Sequence, residues 1–346
     1  MVLFDFFSNA FTSATTQGER AVNTVINMAT PDPEAQNWER HQRLQCRQAS
    51  RDSITLTFDR LYYSPYAYID NATAELHSIK IETLTLNTDG QQDTRMPFFK
   101  PPSLSWLTIH PINPKHKKTQ DRIAEVNDAW AAAKRGEYSE CRILATTLGN
   151  EFTRYIRIRP DESYRLVPED RPDLETGYNF DFLNSFPLEE ISGWTRSRLP
   201  SCIQHHRYIR PTLPERSDKT TPTKTWSSTF GDTWMRNDAK PHLSFIMEHD
   251  VPASEDLLAT EVMTILGMIH GGLSAFTLEE HKIVPVNVIS CLNGYAARVI
   301  QAYYRDEELL LYKSKLHFFD RECERQRNIN LFLLYLACQP VGDTIA

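Results

Sequence analysis

Apolar residues recur at helical spacing in some stretches of the chain and at every second position in others, and the changes between these periods mark its elements. Residues 14–28 and 35–48 read as helices separated by Pro31-Asp32-Pro33, because the two prolines stop one helix and seed the next at its first turn. Trp38, Leu44 and Cys46 then face a core. From Ser53 the run Ile54-Thr-Leu-Thr-Phe58 alternates apolar and polar residues, the pattern of a half-buried strand, and Ile79-Lys-Ile-Glu82 repeats it. Residues 51–100 are therefore expected to be mainly β. Helical periodicity returns over Asp121–Arg135 through Ile123, Val126 and Trp130, and a second helix is expected from Gly136 to Leu148. Tyr155-Ile-Arg-Ile-Arg159 resumes strand spacing.

The last third carries the strongest pattern. Ser254 with Glu255 and Asp256 reads as an N-cap and first-turn carboxylates, followed by a stripe of Leu258, Val262, Ile265, Leu266 and Ile269 that Gly271-Gly272 would close. Ile283–Ile289 reads as a strand, and Pro285 within it predicts an edge position because proline withholds one ladder donor. Asn293-Gly294 predicts a tight hairpin into Arg298–Tyr304, a third strand follows at Leu309–Lys313, and Asn328–Cys338 forms a final helix closed by Pro340 and Gly342. The expected fold class is α+β. It comprises a helical N-terminal arm (1–50), a β-rich first region (51–192), a Pro-rich basic linker (193–225) and a C-terminal helix, three-stranded antiparallel meander and helix (226–346). No fixed-period repeat suggests a solenoid or propeller.

Composition narrows the function classes. With 38 Lys and Arg against 45 Asp and Glu, the net charge of −7 suits solubility and disfavours wholesale binding of nucleic acid or an anionic membrane. Charge is unevenly spread: residues 194–224 hold seven basic and two acidic residues, whereas residues 242–346 hold fourteen acidic and eight basic ones. Only 12 glycines accompany 20 prolines, an unpromising balance for Gly-rich phosphate loops. The N-terminal Met1-Val-Leu-Phe-Asp5 lacks the basic start of a secretory signal, and the longest apolar candidate, 257–276, is interrupted by Glu261, His270 and the glycine pair. The expectation is a cytoplasmic or nuclear protein without a membrane span. The six cysteines are widely dispersed, which suits reduced thiols and offers no zinc-knuckle spacing. A sequon at Asn71-Ala72-Thr73 has no export signal to support its use.

Candidate chemistry is sparse. There is no G-x-G-x-x-G, Walker A, H-E-x-x-H or EF-hand loop, and Gly272-Leu-Ser274-Ala-Phe276 has phenylalanine where a nucleophile elbow needs glycine. Glu248-His249-Asp250 and Glu279-Glu280-His281 set carboxylates beside imidazoles, material for proton transfer or a metal site, yet without a second histidine at ligand spacing. The order of one helix, three strands and one helix resembles the core of the PD-(D/E)XK nuclease-like fold. The resemblance implies a helix acid at Glu261 and a strand lysine at Lys313. The chain departs from that pattern at Leu311, where a carboxylate is required, and in the middle strand 298–304, which has none. Glu261, Glu280, His281 and Lys313 together are therefore the candidate catalytic set of an alternative reading, a divalent-metal-dependent hydrolase, nuclease-like and degenerate.

Trp194 with Arg196, Arg198, Arg207 and Arg210 interleaves positive charge with a stacking face, the combination that single-stranded nucleic acid or a phosphorylated ligand needs, while the favoured reading is a solvated segment packing on the acidic C-terminal region. These five residues are the candidate partner-binding set, for an unknown protein partner before nucleic acid. The aromatic run Tyr62–Tyr68, with Tyr63 and Tyr66, would suit a small-molecule pocket of a pathway enzyme. Finally, Glu280–Ser290, Ala297–Tyr304, Tyr312–Phe319 and the ending Pro340-Val-Gly-Asp-Thr344 resemble a group of uncharacterised filamentous-fungal proteins across about the last 100 residues. That resemblance implies a fungal, intracellular protein and carries no site residues. The reading favoured by the sequence is a non-enzymatic recognition or scaffold protein of unknown partner, with no cofactor and no resident metal.

Overall fold

The computed structural model describes residues 33–91, 93, 95–158, 185–196, 233–236 and 240–345. The chain forms two compact units, 1–46 and 47–346. Helix α1, Pro33–Tyr63, begins in the first and ends in the second. In the first unit Trp38, Leu44 and Cys46 are exposed, contrary to the expected core-facing stripe, and the helix expected at 14–28 lies outside the described residues.

The alternating run at 53–58 proves to be helix rather than strand. Ile54, Phe58 and Leu61 sit three and four residues apart on one face and are buried, so the same apolar positions satisfy both periods and the longer one wins by reaching a core. Among its described residues the expected β-rich first region is mostly helical instead, with α2 at Lys117–Lys134 and α3 at Glu140–Thr153. Ile79–Thr83 (β1) and Ile156–Ile158 keep the extended form their alternation predicts.

One mixed sheet organises residues 47–346. Its other strands are β2 (Trp194–Arg196), β3 (Thr233–Arg236), β4 (Leu243–Pro252), β5 (Val286–Asn293), β6 (Ala296–Arg305), β7 (Glu308–Lys313) and β8 (His317–Phe318). The order is β1-β7-β6-β5-β4-β3-β2, with β8 added beside β6. The pairs β1/β7 and β4/β5 are parallel and the others antiparallel, so β1, β4, β5 and β7 all run in one direction. Helix α4 (Ala259–Ser274) makes the β4-to-β5 crossover, and α5 (Glu322–Leu336) follows the meander β5-β6-β7, giving the C-terminal order the sequence predicts.

Helices cover both faces. Phe245, Val288, Ile300 and Leu311 pack with α4 and the second part of α1, whereas Ile289, Val299, Tyr303 and Tyr312 pack with residues of α2, α3 and α5. A sheet dry on both sides explains why β5, β6 and the first part of β4 are buried at nearly every position instead of at alternate ones.

Three local expectations change with the fold. Strand β5 is central, not an edge: Pro285 precedes its first paired residue, where no ladder donor is needed, and its carbonyl accepts from Leu243 N at 3.0 Å. Helix α4 starts at Ala259, not after Ser254, whose hydroxyl accepts from Asp256 N at 3.2 Å. Gly271-Gly272 does not stop α4 either. The helix end is closed by Arg47 of α1, whose guanidinium donates to the Leu273 carbonyl at 2.5 Å, an acceptor that a helix C-terminus leaves free, and to the Leu278 carbonyl of the turn that follows at 2.5 Å.

Candidate functional site

The parallel direction of β1, β4 and β7 brings their carboxyl ends to one edge of the sheet, the place where crevices form in sheets of this kind. A cleft of about 540 Å3 opens there, lined by Ile69–Ala72, Ile81–Thr83, Glu255, Asp256 and Lys313–Lys315. That volume falls in the range that accommodates a small organic ligand.

Behind the cleft lies a buried ion pair. Glu261 in the first turn of α4 and Arg298 on β6 are both fully buried, with Nε to Oε1 at 2.9 Å and Nη2 to Oε2 at 2.7 Å. Strand alternation explains the placement, since Arg298 shares a sheet face with Ile300 and Ala302, the face that α4 covers. Glu261 Oε2 also accepts from Leu258 N at 2.7 Å, capping the helix. Burial pushes the Glu261 carboxyl up, but Arg298, by its charge and its hydrogen bonds, is the main influence that outweighs it and holds the group below its ordinary value, as a carboxylate.

Arg298 has a second task. It donates to three successive carbonyls of the cleft wall: Ser254 at 2.9 Å, Glu255 at 3.1 Å and Asp256 at 3.0 Å. Lys313 Nζ reaches the same Glu255 carbonyl at 2.5 Å and lies 3.8 Å from its carboxylate, while Leu316 N donates to Glu255 Oε1 at 3.1 Å. Arg298, Lys313 and the Leu316 amide together fix this loop. Burial, and next the Arg298 charge, lower the pKa of Lys313. Across the cleft, Asp70 accepts from Thr73 N at 2.8 Å, and hydrogen bonds from Thr73 hold its carboxyl below the usual range.

Of the candidate catalytic set, the fold brings Glu261 and Lys313 to the same loop, but Glu280 and His281 lie beyond the opposite end of α4. The thirteen residues from Glu261 to Ser274 rise about 20 Å along the helix. His281 Nδ1 is 2.7 Å from Thr344 Oγ1, and its carbonyl is held by Arg47. Among the described residues no group of three His, Cys, Asp or Glu is arranged to hold a metal ion. His249 faces α4 and is buried, which pushes its imidazole down to about 4. Its neighbour Asp250 is exposed and accepts from Asn293 Nδ2 at 2.6 Å.

Trp194 offers no stacking face: it is 1% exposed, and its indole N–H donates to the Cys338 carbonyl at 3.0 Å. Arg196 is described only as backbone in β2, and Arg198, Arg207 and Arg210 lie outside the described residues. Tyr63 and Tyr66 are exposed and do not line the cleft.

The sequence reading missed Arg298, although an arginine inside the apolar run 296–304 is itself a signal, since a lone charge on a buried strand demands a partner. It also missed Asp70, Glu82, Glu255 and Asp256 as a group, because they come from three separate parts of the topology. No described helix is long and apolar enough to cross a membrane. Comparison with family models, with curated proteins and with solved structures finds no match to this chain.

Proposed function

We propose that this protein is a recognition protein, with the cleft at the carboxyl edge of the sheet as its ligand site. One observation carries the reading. Glu261, the acid that hydrolysis would need, already has both oxygens engaged, by the Arg298 guanidinium and the Leu258 amide, at full burial. A carboxylate held by three donors and wholly shut off from solvent is not open to a metal or a substrate proton. Its role is to hold Arg298, and through it the wall formed by residues 254–256. The nearness of Glu261 and Lys313 supports a second reading, a degenerate nuclease-like hydrolase. In that reading Arg298 occupies the middle strand where the working fold requires acids.

The two readings separate in one experiment. The full chain, alongside Glu261→Gln, is incubated with DNA, RNA and bis(p-nitrophenyl) phosphate in magnesium or manganese. The expected result is no turnover above the blank. Metal-dependent turnover by the parent that disappears in a folded Glu261→Gln variant overturns the recognition reading. Hydrogen exchange in a screen of small organic ligands addresses the cleft itself: protection is expected at 69–72, 82–83, 254–256 and 313–315, and saturable binding that protects only other regions counts against it.

A further inference from the structure

We propose that Lys313 is an amine nucleophile that captures a small, neutral or cationic aldehyde or ketone in this cleft as a reversible imine. The inference deepens the recognition reading and rests on it.

The placement of the side chain is the first argument. Lys313 ends β7, lines the cleft, and is only 22% exposed at its side chain. Its Nζ donates to the Glu255 carbonyl at 2.5 Å, which fixes the nitrogen without engaging its other positions. Burial, and next the Arg298 guanidinium behind it, favour the uncharged amine, the form that attacks a carbonyl carbon, and outweigh the opposing charges of Glu255, Glu261 and Asp256. A lysine partly withdrawn from water beside a fixed cation is activated in just this way.

The neighbouring groups supply the rest. The Glu255 carboxylate, with Oε2 3.8 Å from Nζ, is placed to carry the proton. The amine nitrogen bonds to the carbonyl carbon and the π pair moves to oxygen. Glu255 relays the proton from nitrogen to that oxygen, giving a carbinolamine. A further proton, taken from solvent, to the oxygen releases water and leaves the iminium, which returns a proton to solvent from its N–H to give the imine. No oxidant or reductant is consumed, and hydrolysis reverses each step. Four carboxylates, Asp70, Glu82, Glu255 and Asp256, line the cleft against two lysines, Lys313 and Lys315, which disfavours an anionic carbonyl compound and sets the ligand class. Ile69, Ala72 and Ile81 supply an apolar patch for a short carbon chain.

The test uses lysines of the same molecule as its controls. Lys80 is exposed and its pKa is raised by Glu82, with Nζ to Oε1 at 3.0 Å, and Lys315 is exposed. The full chain is treated with propanal and cyanoborohydride near neutral pH, and modification of each lysine is followed by peptide mass. Lys313 is expected to be labelled several-fold faster than Lys80 or Lys315, because its partial withdrawal from water favours the free amine. Glyoxylate is expected to label Lys313 more slowly than propanal. Glu255→Gln should slow labelling at Lys313 and leave Lys80 unchanged. Labelling of Lys313 no faster than of Lys80 and Lys315 overturns the proposal, as does a faster reaction with glyoxylate. An unchanged Lys313 rate in Glu255→Gln removes Glu255 as proton carrier. These outcomes leave the recognition reading standing, since that reading falls only to metal-dependent turnover or to saturable binding elsewhere.

Discussion

Glu261 and Arg298, from a helix and a strand thirty-seven residues apart in the chain, meet through two hydrogen bonds of 2.9 and 2.7 Å with both side chains at 0% exposure. Removing one partner strands the other as a buried charge. Arg298→Met is therefore expected to cost about 3–5 kcal/mol, and Glu261→Met a similar amount, whereas the double replacement should recover much of the loss. Urea unfolding of all four forms gives the coupling. Additive single costs would show that the pair is not the stabilising unit described here.

Acid should weaken the fold through its buried imidazoles. Burial pushes His242 and His249 down to about 4, so the unfolded chain binds protons that the folded one refuses. Their contribution is complete above the ordinary histidine value and is lost as pH falls from there toward 4, by up to about 3 kcal/mol for each ring. His249→Gln is expected to flatten this limb of the stability profile. A pH profile between 7 and 4 that is unchanged in that variant would contradict the assignment.

Glu151 acts in the opposite direction. Burial pushes its carboxyl up to about 7, and Arg157 at 3.6 Å offsets this only in part. A carboxyl whose folded pKa is raised contributes stability at low pH and loses it as pH rises from the ordinary carboxyl value through 7. Glu151→Gln should therefore compare more favourably with the parent at pH 8 than at pH 5, by roughly 2–3 kcal/mol. Melts at the two pH values decide the sign, and an equal difference at both rejects the account.

The turn between β6 and β7 places Asp306 at φ 52° and Glu307 at φ 62°, a left-handed pair that side chains with a Cβ adopt at a cost. Asp306→Asn with Glu307→Gly, the residues this turn prefers, is expected to raise stability by about 1 kcal/mol in thermal unfolding. A loss would mean that the acidic pair makes a contribution beyond its backbone shape.

Close packing governs Gly272. A Cβ at that position of α4 would lie 2.7 Å from Val284 Cγ1, so Gly272→Ala should destabilise by about 1–3 kcal/mol despite alanine's better helix propensity. Val284→Ala in the same chain removes the opposing methyl groups and should relieve most of the added cost. Failure of that rescue would place the strain elsewhere.

Local pattern was sufficient for the elements whose apolar residues fit one period alone. The stripe Val262, Ile265, Leu266 and Ile269 admits only a helix, and the three strands of the meander are joined by turns that the chain can make locally. These features, with the α+β class, followed from the amino-acid order because their hydrogen bonds close within a few residues or across a hairpin. Ile54–Phe58 did not, since the positions shared by a strand and a helix are settled by what lies opposite, in this case α4 and the sheet. Pro285 was misread for a related reason: whether a missing N–H matters depends on whether a neighbouring strand needs it there, and pairing begins one residue later. The cleft belonged entirely to the tertiary structure. Asp70, Glu82, Glu255 and Lys313 come from distant segments, and parallel strand direction, set by long-range pairing, brings their ends to one edge. Sequence distance carries no information about such a meeting, because strand order and direction are fixed by which faces can be covered on both sides at once.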